Sequence, residues 1–124
     1  MSTQEVANRL VEICRTGHYG AALDELYSPH AVSIEPEGSP GETVARGIDA
    51  LKAKGKQWEE SVEAVHGSEV SDPIVAGNFF ACTMSLDITF KGMGRMPMDE
   101  VCVYEVQDGK IVSEQFFYPV MPQG

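Results

Sequence analysis

The chain has 124 residues, 43% of them hydrophobic and 8% aromatic, and carries a formal net charge of -10. That length supports one hydrophobic core, read here as a single domain over 1–124, and the composition is that of a globular rather than a disordered chain. The acidic balance, with no Lys/Arg cluster to offset it, excludes a phosphate backbone as a natural partner, so no nucleic-acid role is expected.

The N-terminus, MSTQEVANRL, has neither the basic start nor the apolar run of a signal peptide, and no stretch approaches the roughly 18 apolar residues of a membrane span. A cytoplasmic protein without membrane contact is the expectation. Cys14, Cys82 and Cys102 are odd in number, widely spaced and set in apolar patterns, and they read as reduced, buried small side chains.

Ser2 or Thr3 opens the first helix, whose apolar stripe is Val6, Leu10, Ile13 and Cys14 and whose stop is Gly17. A second short helix follows in HYGAALDELYSPHA, with Tyr19, Ala22, Leu23, Leu26 and Tyr27 on its buried side and Ser28-Pro29 as its end. The next segment, HAVSIEPEGSPG, alternates Ala31, Val32 and Ile34 into Glu35 and Pro36, a short strand that finishes on a carboxylate. EGSPGETVARG reads as loop, and IDALKAKGKQWEESVEAV starts as a third helix with Ile48, Leu51 and Trp58 on one side, lysines on the other, and a bend expected at Gly55.

From about residue 61 the period changes to two. In FFACTMSLDITF, residues Phe80, Cys82, Met84, Leu86, Ile88 and Phe90 share one face, against Thr83, Ser85, Asp87 and Thr89. RMPMDEVCVYEV and KIVSEQFFYPV are further strands joined by a QDG hairpin turn, and KGMG links the two strands before them. Helices first and antiparallel strands after give an α+β layout with the helices on the concave face of a curled sheet. The final PQG is expected to fray.

This order of elements, together with LYSPHAVSIEP, ARGIDALKA and above all VYEVQDGKIVSEQFF, resembles the nuclear transport factor 2-like superfamily, in particular its SnoaL-like members, over nearly the whole chain. The resemblance implies a cone-shaped barrel of curved antiparallel sheet with about three N-terminal helices, the cystatin-like architecture. It does not fix a chemistry, because that fold serves cyclases, isomerases, dehydratases, epoxide hydrolases and non-enzymes.

In the related ketosteroid isomerases a carboxylate general base stands just before a proline at the end of the first strand, and the matching residue here is Glu35. The isomerase tyrosine and aspartate fall near Leu10 and Cys102, which cannot replace them, so steroid isomerisation as such is not expected. Neither the paired histidines of scytalone dehydratases nor the Asp/Arg/Asp set of limonene epoxide hydrolases is present.

Each candidate also has a plain structural reading. Glu35 is either the base at a cavity mouth or a solvated strand end, and it points inward only if Ser33 rather than Ile34 shares its face. His66, in phase with Val62 and Ala64, is an inward acid–base group or a histidine satisfied by the backbone. Glu114 faces in with Phe116 and Tyr118, or lies on the surface if Phe117 faces in instead. Tyr104 offers a hydroxyl to a ligand or is packed, and Trp58 caps a pocket or the core.

The expected site therefore has Glu35, His66 and Tyr104 as catalytic residues and Trp58, Met84, Leu86, Cys102, Glu114, Phe116 and Tyr118 around an apolar pocket. His18, His30 and His66 are scattered and form no metal-ligand pair, so neither metal nor cofactor is expected. The functional expectation is a cofactor-independent cyclase, isomerase or dehydratase that moves a proton on a small apolar or aromatic carbonyl compound. The alternative is a non-catalytic binder of a small apolar metabolite or a dimeric interaction module. A homodimer through the convex sheet face, with Phe79, Ala81, Thr83 and Ser85 outward, is the expected assembly.

Overall fold

Ser2 begins the fold as a reciprocal cap: its Oγ accepts from the Glu5 amide at 3.1 Å, while Glu5 Oε1 accepts from the Ser2 amide at 2.9 Å. Behind that cap runs α1, Thr3–Arg15, whose stripe of Val6, Leu10, Ile13 and Cys14 is buried as its spacing requires. The computed structural model describes residues 1–39 and 41–120, so the expected C-terminal fraying at PQG lies outside the described residues.

Helix α2, Tyr19–Leu26, gives way at Tyr27 to β1, Tyr27–Ile34; Pro29 is exposed within that strand, where a register shift relieves it of pairing. A three-residue strand β2, Val44–Arg46, then folds back on β1 from the segment expected to be loop. Its polar sequence hides it, and the Glu35 amide donating to Thr43 O at 2.7 Å closes the connection. Helix α3, Ile48–Ser61, runs unbroken through Gly55.

The remaining strands are β3, Val62–Val70; β4, Ile74–Ala76; β5, Phe79–Phe90; β6, Gly94–Gln107; and β7, Lys110–Phe117. They form one sheet in the order β2-β1-β7-β6-β5-β3, with β4 also on β5. All pairings are antiparallel except β1 with β7. The sheet is curved and open, ending at β2 and β3, and with the three helices it gives the expected α+β cone of curved antiparallel sheet. The turn between β6 and β7 has Asp108 and Gly109 both at positive φ (51° and 74°), which matches the twist of a two-residue hairpin.

On β5 the even residues Phe80, Cys82, Met84, Leu86 and Ile88 are buried, and Cys102, Tyr104 and Val106 continue that face on β6. Together with α1, Leu26 and Leu51 they make the core. Truncating Leu10, 1% exposed, is expected to cost about 2–5 kcal/mol.

Candidate functional site

Strand register decides which polar side chains meet inside. Ser33 of β1 lies beside Glu114 of β7, Glu114 beside Tyr104 of β6, and Tyr104 beside Phe80 of β5, one lateral row on the concave face. Two residues along β6, Cys102 sits between Cys82 and Phe116, and two further on, Glu100 lies opposite Met84. Between this face and the three helices lies a cavity of about 470 Å³.

Ser33 is fully buried whereas Ile34 is only half-buried, so the inward parity of β1 falls on Ala31, Ser33 and the following Glu35. The Glu35 side chain, 16% exposed, accepts from Lys54 Nζ at 2.5 Å on Oε1 and from the Tyr118 hydroxyl at 2.8 Å on Oε2. Lys54 Nζ also donates to Ser33 Oγ at 2.7 Å, and Ser33 Oγ donates to Glu114 Oε2 at 2.7 Å. Glu114 Oε1 accepts from the Tyr27 hydroxyl. A continuous chain from Tyr27 to Tyr118 thus holds two carboxylates and one ammonium.

Within that chain, burial raises the Glu114 carboxyl above its ordinary range, opposed by the hydroxyls of Tyr27 and Ser33. Lys54 Nζ also lies 5.1 Å from the centre of the Phe116 ring, a cation–π distance. Two of its three N–H donors are taken by Ser33 and Glu35, which leaves one for a ligand oxygen.

Glu100 differs. It lines the same cavity, yet among the described residues its side-chain partner is the Cys102 thiol, which donates to Oε1 at 3.6 Å. Burial, followed by the charge of Glu35, pushes its carboxyl up to about 7, against smaller opposing pulls from Cys102 and Lys54. Tyr104 stacks on Phe80 with ring centres 4.7 Å apart, is 2% exposed, and makes no side-chain hydrogen bond among the described residues. No trio of His, Cys, Asp or Glu among the described residues has metal-holding geometry.

Of the residues predicted from sequence, Glu35, Trp58, Met84, Leu86, Tyr104, Glu114 and Phe116 line the cavity. Tyr118 reaches it through Glu35, and Cys102 stands behind Glu100. Trp58 meets Tyr19 edge to face at 6.0 Å, between α3 and α2.

His66 is placed elsewhere. It is exposed, with Nε2 2.7 Å from Thr89 Oγ1. The pairing steps from Val65↔Ile88 to Gly67↔Asp87, so His66 is the extra residue of a bulge that breaks its phase with Val62 and Ala64. The inward placement expected of it is therefore corrected.

Lys54 and Glu100 were not selected from the sequence. Lys54 lies three residues after Leu51 and four before Trp58, so helical spacing puts it on the inner face of α3 rather than with the outer lysines. Glu100 has the parity of Cys102 and Tyr104, which marked it as inward.

The sequence profile of the SnoaL-like domain matches residues 1–118. Among solved structures, a Mesorhizobium loti protein described as a SnoaL-like polyketide cyclase is 36% identical, with a TM-score of 0.89 over 95% of this chain and 100% of its own. A Xanthomonas campestris protein of unknown function with a cystatin-like fold is 24% identical, with a TM-score of 0.78 over 95% and 91%. A Bacillus subtilis protein described as an isomerase is 19% identical, with a TM-score of 0.73 over 96% and 90%. No curated protein matches the chain.

Proposed function

The chain belongs to the SnoaL-like domain family, and from that premise we propose that it is a cofactor-independent proton-transfer enzyme acting on a small apolar or aromatic carbonyl compound held in the cavity. The observation that carries this reading is Glu100, the cavity carboxylate without a cationic partner, poised near neutral pH. In the proposed step Glu100 takes a proton from the carbon next to the carbonyl and returns it at a second position. Electron density moves onto the carbonyl oxygen, where the third N–H of Lys54 and the hydroxyl of Tyr104 supply hydrogen bonds.

Glu35, the base expected from the sequence, instead fixes Lys54 as its counter-ion. The apolar wall, with Leu51, Met84 and Leu86, keeps water away and strengthens these contacts. The 36% identical Mesorhizobium loti protein, described as a polyketide cyclase, supports chemistry on a carbonyl compound.

The test is solvent exchange of the α-protons of 2-tetralone in D₂O, followed by NMR. Wild type is expected to accelerate exchange over buffer, and Glu100→Gln to lose roughly 10²–10⁴-fold of that acceleration. Exchange no faster than buffer, or an undiminished rate in the variant, would leave a non-catalytic binding cavity as the better reading.

Assembly is part of the proposal. On the convex face Val101 and Phe117 are neighbours in register and 43% and 48% exposed, with Phe79 at 47% on the same side of the sheet. A second copy of the chain covering them gives a homodimer, and a monomer mass by light scattering at micromolar concentration would contradict it. The three free, buried cysteines favour a reducing compartment such as the cytoplasm.

A further inference from the structure

The charges inside the cavity are unequal. Glu35, Glu100 and Glu114 line it with Lys54, and the lysine is already committed to Glu35 and Ser33. When all four are ionised, two negative charges remain without an ammonium to offset them. The mouth does not redress this: Lys52 is paired with Asp24 at 2.8 Å, and Lys56 and Glu59, also in the lining, are equal and opposite in charge.

Tyr104 adds an independent observation: a hydroxyl on a residue 2% exposed, facing the cavity, without a side-chain partner among the described residues. Since no sealed side-chain N or O among the described residues lacks a partner, this hydroxyl is open to the cavity, where a ligand oxygen or water can reach it.

We infer that the cavity takes ligands that carry no negative charge, with a neutral oxygen set against Tyr104 and Lys54, and that Glu100 is the specificity-determining residue that turns carboxylates, sulfates and phosphates away. This rests on the reading of the cavity as a ligand site. The physical reason is that an anion entering a low-dielectric space beside an ionised Glu100 loses hydration and meets a lining whose carboxylates outnumber its ammonium groups.

The groups facing Glu100 are Glu35 after β1, Lys54 of α3, Glu114 of β7 and Tyr118 after it, Cys102 of its own strand, Cys82 of β5, and Cys14 and Tyr19 of the helices above. Burial pushes Cys14 up to about 12 and raises Tyr19, so both stay neutral from pH 6 to 8. Histidine does not line the cavity. Within that pH window Glu100 is the cavity carboxyl poised to change charge, with Glu114 as the other raised carboxyl; the Cys82 thiol, lowered by its hydrogen bond with Cys102, lies outside the cavity lining.

The test compares 2-tetralone with its anionic analogue, tetralin-2-carboxylate, by isothermal titration calorimetry at pH 6 and pH 8, where the carboxylate probe is ionised throughout. At pH 8 the anion is expected to bind at least tenfold more weakly than the ketone. At pH 6 that ratio narrows by about threefold or more as Glu100 takes up a proton, and in Glu100→Gln at pH 8 it narrows similarly. The glutamine variant separates Glu100 from Glu114, and circular dichroism confirms that it is folded. An anion bound within threefold of the ketone at pH 8, or a ratio indifferent to both pH and substitution, overturns the inference while leaving the cavity as a ligand site. Failure of both probes to bind at either pH overturns the inference and the ligand-site reading together.

Discussion

The two sides of the cavity treat their carboxylates differently. Along β1 and β7, Glu35 and Glu114 have every oxygen engaged, by Lys54, Tyr118, Ser33 and Tyr27. On β6, Glu100 has a thiol at 3.6 Å and is repelled by Glu35. Pairing makes a carboxylate part of the frame, whereas isolation in an apolar wall makes it a group that gains and loses a proton near neutral pH. One cavity thus contains a paired frame and an isolated carboxylate.

The largest expected effect comes from breaking the framed side. Glu114→Ala leaves the hydroxyls of Tyr27 and Ser33 without their acceptor and opens a void at a position 9% exposed. A loss of about 3 kcal/mol is expected, read as an earlier urea midpoint. A loss below about 1 kcal/mol would mean that this carboxylate is no part of the frame.

The second prediction has the opposite sign. Glu100 has its folded pKa raised to about 7, above the ordinary value near 4.5, so the folded state binds the proton more tightly than the unfolded state. Its contribution is therefore fully present below about pH 4.5 and is lost as pH rises to about 7. Glu100→Gln removes this dependence: the variant is expected to be more stable than wild type at pH 8, by about 2 kcal/mol, with the gap closing toward pH 5. Thermal melts across that range check it, and a variant less stable than wild type at pH 8 would contradict it.

Much of this contrast can be followed back to the sequence. The alternation from Phe80 to Ile88 defines the inner face of β5, and carrying the same parity through the hairpins puts Tyr104 and Glu114 inside. Ser33 was the hinge for Glu35, because a small polar residue at an inward position reads ambiguously until Lys54 and Glu114 are seen on either side of it. His66 was unreadable for another reason: an extra residue on an edge strand changes phase without changing composition. The isolation of Glu100 depends on distances between four elements, which no local pattern contains.

The smallest effect sharpens the contrast from its exposed end. Tyr118→Phe removes the hydroxyl from Glu35 Oε2 but leaves Lys54 on Oε1. At this half-buried position about 0.5–1 kcal/mol of stability should be lost, again by urea titration. A change of 3 kcal/mol or more would place the strongest anchor of Glu35 at Tyr118 rather than Lys54.

The central claim is that the Glu100 carboxyl exchanges its proton near neutral pH. It is tested most directly by labelling the glutamate side-chain carboxyls with ¹³C and following their shifts by NMR from pH 4 to 9, with Glu100→Gln used to assign the resonance. A Glu100 midpoint near 7 is the result predicted here. A midpoint in the ordinary range around 4.3 would contradict it, because Glu100 would then be a solvated anion with no proton to exchange at neutral pH.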